Sequence, residues 1–213
     1  MKALQGSGSA LRDPRRAPVH RRTPPPRRVP NKAMRSREYL TTDEVERLIQ
    51  AASAVGRHGQ RDATLMLIAF RHGLRVGELV SLRWDQIDLE RGAIHVNRLK
   101  NGNPSVHPLG TRERSALRGI AGGIHLFGHV FVTERDGPLT TSNVRKIIAR
   151  AGLKAGLAFP VHPHMFRHAC GYKLANDGQD TRAIQQYLGH RNIVHTVRYT
   201  ELAPDRFKGF WKD

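Results

Sequence analysis

The feature that most limits the fold is a change in apolar period. Up to Leu82 the apolar residues recur at helical spacing, first as Val45, Leu48, Ile49 and Ala52, then as Leu65, Leu67, Ile68 and Ala69. Between Ile94 and Pro108 they alternate in twos. Ile94 and Val96 alternate with His95 and Asn97, Asn101-Gly102 supplies a pair suited to positive φ, and Val106 resumes the alternation. Beyond Thr111 helical spacing returns. One hairpin enclosed by helices predicts a mainly α-helical α+β fold with a small antiparallel β-sheet, to which Ile87 to Leu89 adds a preceding strand.

Boundaries can be placed from local chemistry. Thr41-Thr42-Asp43-Glu44 has capping-box spacing, so the fold begins near Tyr39. A second helix covers residues 61–73 and stops at Gly73. A short third helix spans Val76 to Leu82, where Glu78, three residues from Arg75, can orient the guanidinium. Thr111 to Ala121 is helical, and Val130 to Val132 is a short apolar piece of open type. Thr141 to Gly156 is a helix capped by Thr141 or Ser142, with Val144, Ile147, Ile148 and Ala151 inward. Pro163 opens a helix that runs to about Asp177 and is closed by Gly178. Asp180 caps a helix ending at Leu188-Gly189, and Asn192 caps one that carries Tyr199.

Charge narrows the partner. The chain carries a net charge of +18, and half of it lies in residues 1–38, with 11 Lys/Arg, 2 Asp/Glu and 6 Pro. Those residues read as a disordered basic arm that neutralises phosphates, leaving 39–213 as the folded domain. Such a charge implies a polyanion. Without a long amphipathic basic helix, nucleic acid fits better than a membrane surface. The single cysteine, Cys170, excludes an intramolecular disulfide and suits a reducing cytoplasm. The longest apolar run, Leu65 to Phe70, is too short to span a bilayer, and no apolar stretch follows the basic N-terminus.

The chemistry gathers between His162 and Tyr199. His162, His164, Arg167 and His168 fall in one short run, His190 follows a Leu-Gly, and Tyr199 comes nine residues later. His164 and Arg167 share a helix face and can point at one anion, while His168 supports the site from behind. His162, His164, His168 and Cys170 are metal-ligand types, but their spacing matches no structural zinc pattern and the basic surround opposes a dication. No metal and no cofactor is expected. Lys100, beside the hairpin turn, reads by itself as a soluble turn residue.

The segments GLRVGELVSLRW, LKNG, HPHMFRHACGY and QQYLGHRNIVHTVRYT stand in this order. Over about Tyr39 to Trp211 the chain resembles the tyrosine recombinases of the phage integrase family, nearest in its motifs to the fimbrial phase-switch invertases. The resemblance implies a tyrosine recombinase catalytic domain with Arg75, Lys100, His164, Arg167, His190 and Tyr199 as catalytic residues, supported by Glu78 and His168. It also implies double-stranded DNA as substrate, a homo-tetramer joining two sites, and a cytoplasmic, nucleoid-associated bacterial protein. Host DNA-bending proteins are possible partners, and DNA inversion is the expected outcome ahead of integration or excision. An N-terminal core-binding domain, usual among relatives, is not expected, and the basic arm is read as a partial substitute. The tail at 203–213, with Phe207, Phe210 and Trp211, is expected to dock into a neighbouring subunit. Alternatives are a non-catalytic DNA-binding regulator and a type IB topoisomerase-like relaxase.

The reaction explains the set. A phosphodiester is an anion, so an attacking phenolate is repelled unless the developing charge is neutralised beforehand. Arg75 and Arg167 can each grip non-bridging oxygens with paired hydrogen bonds. An ordinary phenol is ionised about once in a thousand molecules at pH 7, a penalty of roughly 4 kcal/mol. His164 is the expected proton acceptor, Lys100 the acid for the leaving 5′-oxygen, and His190 a donor to a non-bridging oxygen.

Overall fold

Helix α2 (Gly59–Arg71) is the centre of the molecule. Its run Leu65-Met66-Leu67-Ile68-Ala69-Phe70 is buried throughout, so the helix has little face left for water and must be surrounded. In this computed structural model, which describes residues 38–99, 102–122 and 128–201, α2 packs against α1 (Thr42–Ser53), α4 (Thr111–Ala121) and α6 (Pro163–Asn176). The basic arm, Lys100 with Asn101 at the hairpin tip, and the aromatic tail lie outside the described residues.

The α1 start is as expected: the Glu44 N–H donates to Thr41 Oγ1 at 3.3 Å and the Thr41 N–H to Glu44 Oε2 at 2.8 Å. Val45, Leu48, Ile49 and Ala52 form its buried stripe, which lies on α2 and α5 (Thr141–Lys154). Each large apolar side chain so covered stabilises the fold by about 2 kcal/mol. Several helix boundaries differ from expectation: α2 begins at Gly59 and ends at Arg71 against the expected 61–73, α5 ends at Lys154 rather than Gly156, and two further differences have a visible cause. α3 spans Val76–Val80 and stops short of Leu82, because the Leu82 carbonyl accepts the Val130 N–H (2.9 Å) and the Trp84 N–H donates to the Gly128 carbonyl (3.0 Å). The same pairing gives Val130 to Val132 its type, a bridging segment with isolated ladder contacts at Arg83↔His129 and Val132↔Pro138. The cap of α5 is Thr140, not Thr141 or Ser142: Thr140 Oγ1 accepts the Asn143 N–H (3.1 Å) while Asn143 Oδ1 accepts the Thr140 N–H (3.0 Å).

The sheet is antiparallel in the order β1 (Ile87–Asp88), β2 (Ala93–Val96), β3 (Ser105–Pro108). Ile94 pairs with His107 and Val96 with Ser105. This register corrects one expectation: Val106 is 60% exposed, and His107, at 1%, is the inward residue of β3. His107 is held there by polar partners. Its Nδ1 lies 3.2 Å from His72 Nδ1, its Nε2 2.9 Å from Ser105 Oγ, and its ring stacks on Tyr187 at 3.7 Å. The remaining helices, α7 (Thr181–Leu188) and α8 (Val194–Glu201), pack on α6 and on each other. Among the described residues no helix is long and apolar enough to cross a membrane.

Candidate active site

The site forms where α2 turns into α3. Gly73 has φ +56, and a Cβ there would lie 2.4 Å from Leu188 Cδ2, so both the turn and the close approach of α7 require glycine. Two residues on, Arg75 is the N-cap of α3 with Glu78 at its third position. The Glu78 carboxylate accepts four donors: Arg75 Nη1 (2.8 Å) and Leu99 N–H (3.2 Å) on Oε1, Arg75 N–H (2.9 Å) and Arg98 Nη1 (3.0 Å) on Oε2. Burial by itself would raise its pKa, but the Arg75 N–H, Arg98 and the Arg75 guanidinium outweigh that and hold Glu78 below the usual carboxylate range.

Arg98 was not anticipated from sequence. Its side chain is 0% exposed, and besides Glu78 it donates from Nη2 to the carbonyls of His72 (3.2 Å) and Tyr187. The signal was present in the alternation: Ile94, Val96 and Arg98 are buried while His95, Asn97 and Leu99 are exposed, so position 98 continues the inward row of β2.

Arg167 reaches the same place from α6, donating to the carbonyls of Gly73 (2.5 Å) and Leu188 (2.6 Å). Burial, with repulsion from Arg75 and Arg98, lowers its pKa to about 10, so it remains a cation at neutral pH. The neighbouring histidines register this field. His190 is lowered to about 3 by burial and by Arg167 and Arg75. His164 is lowered to about 4 by the protein crowding its ring and by Arg167, His162 and Arg75, although part of it remains open to solvent. Arg75 and Arg98 hold one carboxylate that is already fully engaged, and Arg167 adds a third cation close enough to feel it. A second anion is what the arrangement lacks.

Tyr199, on α8, is 2% exposed, and burial raises its phenol to about 12 despite the opposing pull of Arg167 and Arg198. Its hydroxyl shares a 2.9 Å hydrogen bond with His168 Nδ1, and its ring lies 6.3 Å from that of His190. His164, expected from sequence to take the phenol's proton, is instead edge-on to His168 at 4.4 Å. His168, expected behind the site, contacts the phenol directly because α8 crosses α6 on that side. His190 Nδ1 lies 2.9 Å from Thr196 Oγ1. Arg75, His164, Arg167, His190 and Tyr199 are thus brought together, with Glu78 and His168 adjoining them.

Cys170 is buried, its thiol raised to about 12 by that burial, and no three His, Cys, Asp or Glu side chains among the described residues are gathered as a metal ion needs.

Known proteins share both the sequence and the fold. The model of the phage integrase family matches residues 38–206. The type 1 fimbriae regulatory protein FimE of Escherichia coli is 46% identical over 185 residues, covering 84% of this chain and 93% of FimE. FimB of the same species is 43% identical over 182 residues, covering 83% of this chain and 90% of FimB. The crystal structure of XerA recombinase superposes with a TM-score of 0.68 at 30% identity, over 81% of this chain. This chain spans 63% of the length of that structure. By sequence and fold, the chain belongs to the phage integrase family, the tyrosine recombinases.

Proposed function

We propose that this protein is a site-specific DNA recombinase in which Tyr199 attacks a backbone phosphate, forms a 3′-phosphotyrosine and releases a 5′-hydroxyl. The observation that carries this reading is a cluster of three cations with one committed carboxylate, Arg75 and Arg98 paired to Glu78 and Arg167 within their electrostatic reach, beside a tyrosine and neutral histidines. Arg75 and Arg167 hold the non-bridging oxygens, and His190 donates to one of them. An anion bound there offsets the cation field and raises the pKa of His164, which then accepts the phenol's proton. Lys100 supplies the proton that leaves with the 5′-oxygen. The phosphotyrosine ester conserves the energy of the broken bond, so a new 5′-hydroxyl rejoins the strand without a nucleotide cofactor.

Similarity to FimE and FimB supports inversion as the outcome. Exchanging both strands of two duplexes requires four cuts, hence four protomers, with host DNA-bending proteins aiding the synapse. The test uses nicked duplexes cut from the DNA flanking the protein's own gene. A denaturation-resistant protein–DNA adduct, absent in Tyr199→Phe, is expected, together with inversion of a segment carried between two such sites on a plasmid. No adduct with the native protein, or an adduct that persists in Tyr199→Phe, would overturn the reading.

A further inference from the structure

We propose that His168 is a positioning residue that latches Tyr199 in a closed resting state, and that α8 must give up this hydrogen bond before the nucleophile can reach a phosphate. The inference rests on the reading of Tyr199 as the nucleophile and adds to it the step that withholds the attack.

The seating of α8 carries the argument. Only two of its residues are buried, Thr196 and Tyr199, whereas Val194 is 65% exposed. Each of the two is hydrogen-bonded to a histidine: Thr196 to His190 and Tyr199 to His168, both at 2.9 Å. The Tyr199 ring lies directly on Gly171 of α6, where a Cβ would come within 2.6–2.7 Å of three of its carbons. Tyr172 meets it edge-on at 5.0 Å, and the Arg198 guanidinium sits 5.8 Å from its centroid. This is a fitted seat for an inactive phenol.

The phenol keeps its proton, and His168 does not take it. Burial, then the neighbouring His164 and the cations Arg198 and Arg167, lower it to about 3, while burial holds the phenol near 12, so transfer between them is far uphill. Consecutive residues of α6 therefore divide the work. Arg167 is directed at the carbonyls of Gly73 and Leu188 beside the anion site, and His168 at α8. His164, partly open to solvent, remains for the proton once Tyr199 has left its seat.

The test is hydrogen exchange of the α8 amides in the full chain without DNA, followed by adduct formation on the nicked duplex. His168→Phe fills the space without a polar atom, and His168→Asn restores one near Nδ1. Leaving the buried hydroxyl without its partner shifts the closed state by about tenfold. The latch therefore predicts α8 amides exchanging about ten times faster in His168→Phe and near the native rate in His168→Asn. Tyr199→Phe, which removes the hydroxyl from the other side, should loosen α8 to the same degree, and the double variant should loosen it no further. On DNA, His168→Phe should form adduct faster than the native protein. Unchanged α8 exchange in His168→Phe, or additive loosening in the double variant, would refute the latch. Should His168→Phe not fold, exchange in Tyr199→Phe and His168→Asn decides: native-like exchange in Tyr199→Phe would refute it. These exchange readings do not depend on cleavage, so the latch and the assignment of the nucleophile can fail separately.

Discussion

Replacing Glu78 with glutamine removes the one charge that holds Arg98 inside the protein. The carboxylate takes four donors at 2.8–3.2 Å. A glutamine offers one acceptor oxygen and turns an NH2 toward the other pair, so two of the four donors lose their acceptor. Arg98, with no exposed side-chain surface, then keeps only the carbonyls of His72 and Tyr187. Removing one partner of a buried pair costs about 3–5 kcal/mol, and those carbonyls place the loss near the lower end, about 3 kcal/mol. With a urea dependence of about 2 kcal/mol per molar, the unfolding midpoint falls by about 1.5 M. Because the loss comes from a stranded charge, Arg98→Met in the Glu78→Gln background should cost about 2 kcal/mol less than the two single changes together. Arg75, whose N–H loses its acceptor and whose guanidinium keeps only a neutral amide oxygen, is held less firmly toward the proposed phosphate site, and cleavage in single turnover slows about a hundredfold. A cycle additive to within about 0.5 kcal/mol would refute the claim that Glu78 and Arg98 stabilise the site as a pair.

Acid should unfold the protein early. His107, His168 and His190 are each lowered to about 3 against an ordinary 6.5, chiefly by burial. As pH falls below 6.5 the unfolded chain binds protons that the folded chain refuses, so the stability present above 6.5 is lost progressively toward pH 3, by about 4 kcal/mol per pH unit for the three together at the steepest. His164, lowered to about 4, adds less because solvent screens it. A urea midpoint the same at pH 5 as at pH 7 would contradict this, and duplex DNA should shrink the loss by raising the folded-state values of the histidines beside the proposed site. Gly171→Ala places a methyl group within 2.7 Å of the Tyr199 ring, so it should cost about 1–3 kcal/mol in thermal or urea unfolding and speed exchange along α8. Full stability with unchanged exchange would mean that the ring does not depend on that seat.

Where a residue's deciding partner lies within a turn or two of chain, the sequence was enough. The Thr41–Glu44 box, the span of α4 and the proline start of α6 are local arrangements, and Glu78 gripping Arg75 is a three-residue interaction. The candidate site residues could be named for another reason: arginine, histidine and tyrosine keep their chemical type and order in the motifs whatever the packing. What could not be read is set by elements meeting at a distance. The early end of α3 depends on residues 128–130, the inward turn of His107 on the register of β3 against β2, and the pairing of Tyr199 with His168 on the crossing of α6 and α8. Arg98 falls between these cases. The alternation already carried position 98 into the interior, and a buried arginine demands a carboxylate. Glu78 was the acidic residue that the sequence had already set beside Arg75. Joining those two inferences would have placed Arg98 in the site, and would have shown that Glu78 balances two guanidinia, which is why its loss is expected to cost the fold as well as the reaction.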